Sequence, residues 1–369
     1  MTDEHQKISI DSPLKVVKVD LEQLDLESLK VDSLSLDYLS PNRAVPFDLY
    51  LLGIRRRDDS MTLLKILDRG QTPSRKGLAH LRRSGLEKVY FKHEDQTDAV
   101  DYLVETAEDM VQKKDVVVEV KAKLIHDTAN HLIEQAVVDP RLGRNVDRCK
   151  KYVDQVADFV AGDQTAVQCL TEILATDFSL YSHSVNVCLL TIAFADFLGL
   201  NTRDVTLLGV GGLLHDIGKR AIPSDVLNKP SQLTETEWKI VREHPLRGFL
   251  TLRELPAFPP PALKIVRSHH ENLDGSGYPD GLDSDNLDRS VRIIRIVDAY
   301  DAITSERKYR AALRPLEGVQ IIHQETAHQV DQDVLRSFIR FLGYAGQQAE
   351  RGLKAAASKA AFLVGAENQ

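Results

Sequence analysis

Apolar positions follow two different periods along the chain, and the change falls near residue 111. Two β-rich apolar runs, Phe47 to Ile54 and Met61 to Leu67, flank the polar stretch Arg55-Arg56-Arg57-Asp58-Asp59-Ser60, so the spacing predicts a hairpin with a charged turn. Upstream, Val19, Leu24, Leu29, Leu34 and Leu39 recur every five residues, as do Leu21, Leu26, Val31 and Leu36. That is pentapeptide-repeat spacing, but so few repeats make only about one solenoid coil, too little to bury a continuous core, and a short strand-and-loop leader is expected instead. A helix is predicted from Ser74 to Arg83, closed by Gly85, then a strand from Lys88 to Lys92. From Thr97 onward Val100, Leu103, Val104, Ala107, Met110 and Val111 keep helical spacing. Residues 1–111 therefore read as a small α+β domain.

Residues 112–164 are helical in pattern but highly charged, with Lys113-Lys114 and the run Arg148 to Lys151, and predict a helical connector with one narrow apolar face, compatible with a homodimer. From 165 to 345 helix follows helix, with Gly and Pro at the joins and no strand pair, so this half is expected to be all-α. Residues 346–369 form an alanine-rich, helix-prone tail. Val187 to Leu200 is the most apolar stretch, but Thr191 and Asp196 interrupt it and it falls short of the ~20 apolar residues a bilayer span needs. It reads as a buried core helix.

The 369 residues are 43% apolar and 28% charged, which supports a real core and excludes a disordered chain. A net charge of −8 argues against a duplex nucleic-acid binder, which needs a basic stripe to neutralise phosphates. Three widely spaced cysteines, Cys149, Cys169 and Cys188, form neither a disulfide framework nor a zinc knuckle. With no basic segment leading into an apolar one at the start, the expected setting is cytoplasmic.

Chemistry concentrates in the all-α half, where His183, His215-Asp216, His244, His269-His270 and Asp298 each fall on or beside an apolar stripe. Asn201 predicts the N-cap of the helix that ends at His215-Asp216, and Thr234-x-x-Glu237 predicts a capping box on the helix expected to carry His244. His269 and His270 follow Ile265 and Val266 in the same manner. Burying these side chains together without compensation costs several kcal/mol for each ionised group, and bound cations remove that cost. Seven ligands exceed the roughly four or five that one transition metal takes from protein, so two metals are expected, with a carboxylate bridging them for phosphoester hydrolysis. Lys219, three residues past Asp216, is placed to contact a phosphate oxygen or to help the leaving alkoxide. Gly209, Gly211 and Gly212 complete no GxGxxG, and no GxxxxGK[ST] occurs, so these glycines are read as permitting close helix packing.

His215-Asp216-Ile217-Gly218-Lys219 with Asp274-Gly275-Ser276-Gly277-Tyr278-Pro279 resembles the HD-GYP family of bacterial phosphodiesterases, within the HD hydrolase superfamily. The likeness runs from Tyr181-Ser182-His183 through His244-Pro245 to Asp298-Ala299-Tyr300-Asp301. It implies a helical domain that hydrolyses cyclic di-GMP to pGpG and onward to GMP at a bi- or trinuclear centre. It also implies that His183, His215, Asp216, His244, His269, His270 and Asp298 hold metal, iron or manganese before nickel or zinc. Asp216 and Lys219 carry over as catalytic residues; Lys219, Gly277, Tyr278, Pro279, Arg307 and Arg310 carry over as substrate contacts. Ser179 stands where trinuclear members have a glutamate, so a binuclear site is expected. Lys308 stands where many members have proline. The GYP loop is implied to meet diguanylate cyclase domains. Asp301 shares a helix face with Asp298, placed to orient a ligand or a bound water. Cyclic GMP-AMP hydrolysis, or a receptor that binds cyclic di-GMP without cleaving it, are the alternatives.

Overall fold

The computed structural model describes residues 30–55, 60–138, 143–163, 165–174, 182–256, 258–305, 313–343 and 345, and the chain divides into two compact units at Asp109/Met110. The first unit is a four-stranded antiparallel sheet with two helices. Its strands are β1 (Val31–Ser35), β2 (Leu49–Arg55), β3 (Ser60–Leu67) and β4 (Lys88–Lys92), in the order β1-β4-β2-β3. β2 and β3 pair as the predicted hairpin, while residues 56–59 of its turn and 19–29 of the five-residue repeat lie outside the described residues. The remainder of the repeat supplies β1, which pairs with β4 from Val31↔Lys92 to Ser35↔Lys88.

Helix α1 (Arg75–Arg83) starts at Ser74, whose side chain accepts from the Gly77 N–H, and stops at Gly85, where φ is +74°. Helix α2 (Gln96–Val111) buries Val100, Tyr102, Leu103 and Ala107. The Tyr102 ring meets Phe47 edge-on at 5.9 Å, and its hydroxyl donates to the Tyr38 carbonyl at 3.1 Å. The phenol thus has its polar end satisfied inside an apolar unit.

The second unit is helical: α3 (Val118–Val138), α4 (Gly143–Gly162), α5 (Ala166–Leu174), α6 (Ser182–Phe197), α7 (Thr202–Leu214), α8 (Ser224–Leu227), α9 (Glu235–Val241), α10 (His244–Arg253), α11 (Pro260–Ser268), α12 (Arg289–Thr304) and α13 (Pro315–Glu325), with a further helical run over 332–343. α6 is buried without a break from Val185 to Ala195, as a helix that is apolar all round must be. It packs on α4, α7 and α12.

The segment expected as a connector differs from that expectation. α3 and α4 belong to the same compact unit as the helices that follow, and α4 packs on both α6 and α7. Cys149, Tyr152, Val153, Val156 and Phe159 form its buried stripe, which is wide enough to join a core. One member of that charged run, Arg148, is buried and donates to Gln135 and Asn145 at 3.1 Å each. Among the described residues no helix is long and apolar enough to cross a membrane.

The glycines of α7 set how closely its neighbours approach. A Cβ at Gly209 would stand 2.6 Å from Val153 Cγ1 on α4, and one at Gly211 would stand 2.6 Å from Ile265 Cδ1 on α11. Gly211→Val should therefore overpack this seam at a cost of about 1–3 kcal/mol, lowering Tm by several degrees in thermal denaturation. Gly162→Ala, with nothing within 4 Å of the added methyl, should not lower it.

Candidate metal centre

Helix ends deliver most of the predicted ligands to one place. His183 is the second residue of α6, His215 caps the C-terminus of α7, and Asp216 leads into a 3₁₀ turn, Ile217–Ala221. The Asn201 cap and the Thr234/Glu237 capping box are both present. The capping box, however, opens α9, which stops at Val241, and His244 begins a separate helix, α10. Pro245 fits that first turn, where its missing N–H costs nothing. His269 and His270 follow the end of α11 instead of continuing it, and Asp298 sits within α12.

Three imidazoles are oriented by the backbone. Nδ1 of His215 donates to Gly212 O at 2.7 Å, that of His244 to Val241 O at 2.8 Å, and that of His269 to Val266 O at 3.0 Å. A carbonyl can only accept, so each Nδ1 carries the proton and, in the neutral ring, each Nε2 presents a lone pair. These lone pairs converge on Asp216: His215 Nε2 is 3.3 Å from Oδ2, and His244 Nε2 is 3.1 Å from Oδ1. His244 Nε2 and His269 Nε2 are themselves 3.1 Å apart. Two neutral rings held so face each other lone pair to lone pair, which only a bridging cation or a proton relieves. Nε2 of His215 and Oδ1 of Asp216 are also buried without a hydrogen bond, a deficit one shared proton does not meet. The donor set fits metal.

Two groups of donor atoms, each mutually within 4.8 Å, share Asp216: one comprises Asp216, His244, His269 and His270, the other His183, His215 and Asp216. Asp298 borders the second, with Oδ1 3.1 Å from His183 Nε2 and 3.8 Å from His215 Nε2. Asp301, one turn further along α12, accepts from His183 Nδ1 at 2.7 Å and from Asn186 Nδ2 at 2.9 Å, so it fixes the ring from behind.

Electrostatics favours the deprotonated form of Asp216, Asp298, His269 and His270. Burial works against the charge on Asp216, yet Lys219 and the imidazoles outweigh it and hold the carboxyl well below its ordinary range. Asp298 is held down in the same way, chiefly by His183. Burial and neighbouring imidazoles pull His269 far down, and burial takes His270 to about 3. His183 goes the other way: burial opposes its charge, but hydrogen bonds to Asp298 and Asp301 push it up to about 10.

The centre has an open side. His215, His244 and His269 are at most 1% exposed, whereas His183, His270 and Lys219 are 27%, 25% and 35% exposed. Lys219 stands on the 3₁₀ turn, not on α7, with Nζ 2.5 Å from Asp216 Oδ2. The turn lies against α10 so tightly that a Cβ on Gly218 would be 2.0 Å from the His244 carbonyl oxygen.

The loop after the histidine pair folds back over it. A Cβ on Gly277 would lie 2.4 Å from Glu271 Cα, so only glycine fits there. The Tyr278 N–H donates to His270 O at 3.2 Å, and its ring stacks on that of His270 at 4.8 Å; the bond to Pro279 is cis. Buried Glu271 accepts from the Asp280 and Leu282 N–H groups at 2.6 and 3.0 Å, and Arg267 clamps Asp280 from outside. Asn186, Arg242, Arg267 and Glu271 were not singled out from the sequence. Only Glu271, an acid directly after the histidine pair, carried a local signal. Arg307, Lys308, Arg310 and Ser179 lie outside the described residues.

Residues 168–334 match the HD domain family. The chain is 34% identical over 224 residues to a cyclic di-GMP phosphodiesterase of Pseudomonas aeruginosa, covering 60% of this chain and 54% of the relative. It is 38% identical over 146 residues to a 3′3′-cGAMP-specific phosphodiesterase of Vibrio cholerae, covering 40% of this chain and 31% of that one. The chain thus spans about half the length of the first of these curated relatives and about a third of the second. Among solved structures, an HDG"Y"P protein of Bdellovibrio bacteriovorus aligns with a TM-score of 0.61 and 20% identity over 85% of this chain and 99% of that one, which shows a shared fold.

Removing the support behind His183 tests whether the cluster is built for metal. Asp301→Ala should weaken metal binding by about 10–100-fold in a metal titration, with the helical circular dichroism retained.

Proposed function

We propose that residues 168–334, which match the HD domain family, form a domain of the HD-GYP kind, and that the chain is a metal-dependent phosphodiesterase opening cyclic di-GMP to pGpG, with GMP as the onward product. The observation that carries this reading is the pair of donor groups sharing Asp216. His183 and His215 would hold one divalent transition metal and His244, His269 and His270 the other, with Asp216 available to both and Asp298 completing the set. An oxygen-and-imidazole set without thiolate is one that iron, manganese, nickel and zinc all accept, and iron or manganese is the metal we assign. Bound there, such a pair would supply Lewis acidity for phosphoester hydrolysis.

The chain's own groups do the rest. Lys219, on the open rim beside Asp216, offers an ammonium to the phosphate oxygens as negative charge builds there. Tyr278 closes one flank by stacking on His270, which limits water, Gly277 lets the loop come that close, and Pro279 continues that wall. Arg307 and Arg310 are assigned as further phosphate-gripping cations. Exposed Asp274 and Ser276, at the tip of the same loop, are the face we assign to a partner cyclase domain. Cyclic GMP-AMP is the second substrate to test, favoured by the 38% identity to the Vibrio cholerae protein of that specificity.

Anaerobic incubation of the manganese- or iron-loaded chain with cyclic di-GMP, followed by chromatography, should yield pGpG or GMP. Intact cyclic di-GMP beside bound metal would contradict the reading. Asp216→Ala should lose turnover and metal content together; an active, metal-loaded variant would overturn the assignment of Asp216 as the shared ligand.

A further inference from the structure

Trp238, the single tryptophan of the chain, is 47% exposed on α9, and Arg242 caps the same helix one turn later. The Arg242 guanidinium lies 5.9 Å from the centre of the Trp238 ring and 5.5 Å from that of Tyr278, both within cation–π reach. Tyr278 in turn stacks on His270 at 4.8 Å and 28°. Ring by ring, a ladder leads from an imidazole of the metal cluster to an exposed indole.

Arg242 is exposed and, among the described residues, its guanidinium takes part in no hydrogen bond or ion pair. Arg247, Arg267 and Arg292 by contrast each hold a carboxylate. An arginine placed by ring faces alone keeps its in-plane N–H donors for a ligand. The phosphate machinery next to it names no base, whereas a planar cation beside an open indole face is suited to one.

We propose that Trp238 and Arg242 form the base subsite of this centre, where one purine of the substrate stacks on the indole and Arg242 selects guanine through its N7/O6 edge. This rests on the phosphodiesterase reading and adds its base specificity. Stacking on an aromatic face is indifferent to which base is stacked, so Trp238 contributes affinity. Guanine turns two acceptors, N7 and O6, toward a guanidinium fork; adenine turns one acceptor and one amino donor, and that donor meets the fork head-on. Arg242 therefore contributes the choice.

Because Trp238 is the only tryptophan, its fluorescence reports the subsite without reference to turnover. The manganese-loaded full chain is mixed with cyclic di-GMP or cyclic di-AMP in a stopped-flow fluorimeter, and hydrolysis is followed in parallel. Cyclic di-GMP should quench the fluorescence saturably, and cyclic di-AMP should half-saturate at about tenfold to a hundredfold higher concentration. R242Q should collapse that gap, and R242K, which keeps the charge but not the fork, should collapse it too. Turnover of cyclic di-GMP without any quench, or a gap that survives in R242Q or R242K, would overturn the subsite. Saturable, guanine-selective quenching without hydrolysis of either nucleotide would uphold the subsite and sink the phosphodiesterase reading. Neither quench nor turnover would sink both.

Discussion

The contact that governs the helical unit is the 3.1 Å approach of His244 Nε2 to His269 Nε2, over a carboxylate oxygen of Asp216 that has no hydrogen bond of its own. Backbone carbonyls hold both rings by Nδ1, so neither can turn its lone pair away without giving up a buried hydrogen bond, at about 1–3 kcal/mol for the group left unpaired. Asp216 and Asp298 add two nearly buried negative charges, each costing several kcal/mol in an apolar setting unless a cation is near. Lys219 answers part of that demand from the rim and His183 another part. Among the described residues, the His244, His269 and His215 lone pairs face one another and the carboxylates, all of them acceptors. Divalent cations resolve all of these at once, and on that ground we read the cluster as a metal centre.

That contact requires helix ends to come close, and the glycines allow it. Gly209 and Gly211 let α4 and α11 lie against α7, Gly218 lets the turn after Asp216 touch the His244 carbonyl, and Gly277 lets the GYP loop close on Glu271. Without the first two the helices splay; without the others the ligands separate or lose their cover. The fold and the site therefore share one close-packing requirement, expressed at different depths.

The identity of the ligands was legible in the sequence because imidazoles and carboxylates next to an apolar stripe need a reason to be there, and the caps at Asn201 and Thr234 marked where two helices begin. What local pattern could not place was anything settled by tertiary contact. His244 looked like a continuation of the helix capped at Thr234, since one apolar stripe runs through both; the break at Arg242-Glu243 shows only once α10 packs on the turn after Asp216. The run from 112 to 164 looked too charged for a core, because the count of charges says nothing of how wide the apolar face is. Arg242 gave no signal at all, because its place between Trp238 and Tyr278 joins α9 to a loop more than thirty residues on.

Metal stoichiometry with electron paramagnetic resonance on the manganese-loaded full chain addresses the shared-carboxylate centre most directly. The account predicts two manganese ions per chain with the spectrum of an exchange-coupled pair, as a common Asp216 requires. One ion per chain, or two that behave as magnetically isolated, would contradict it.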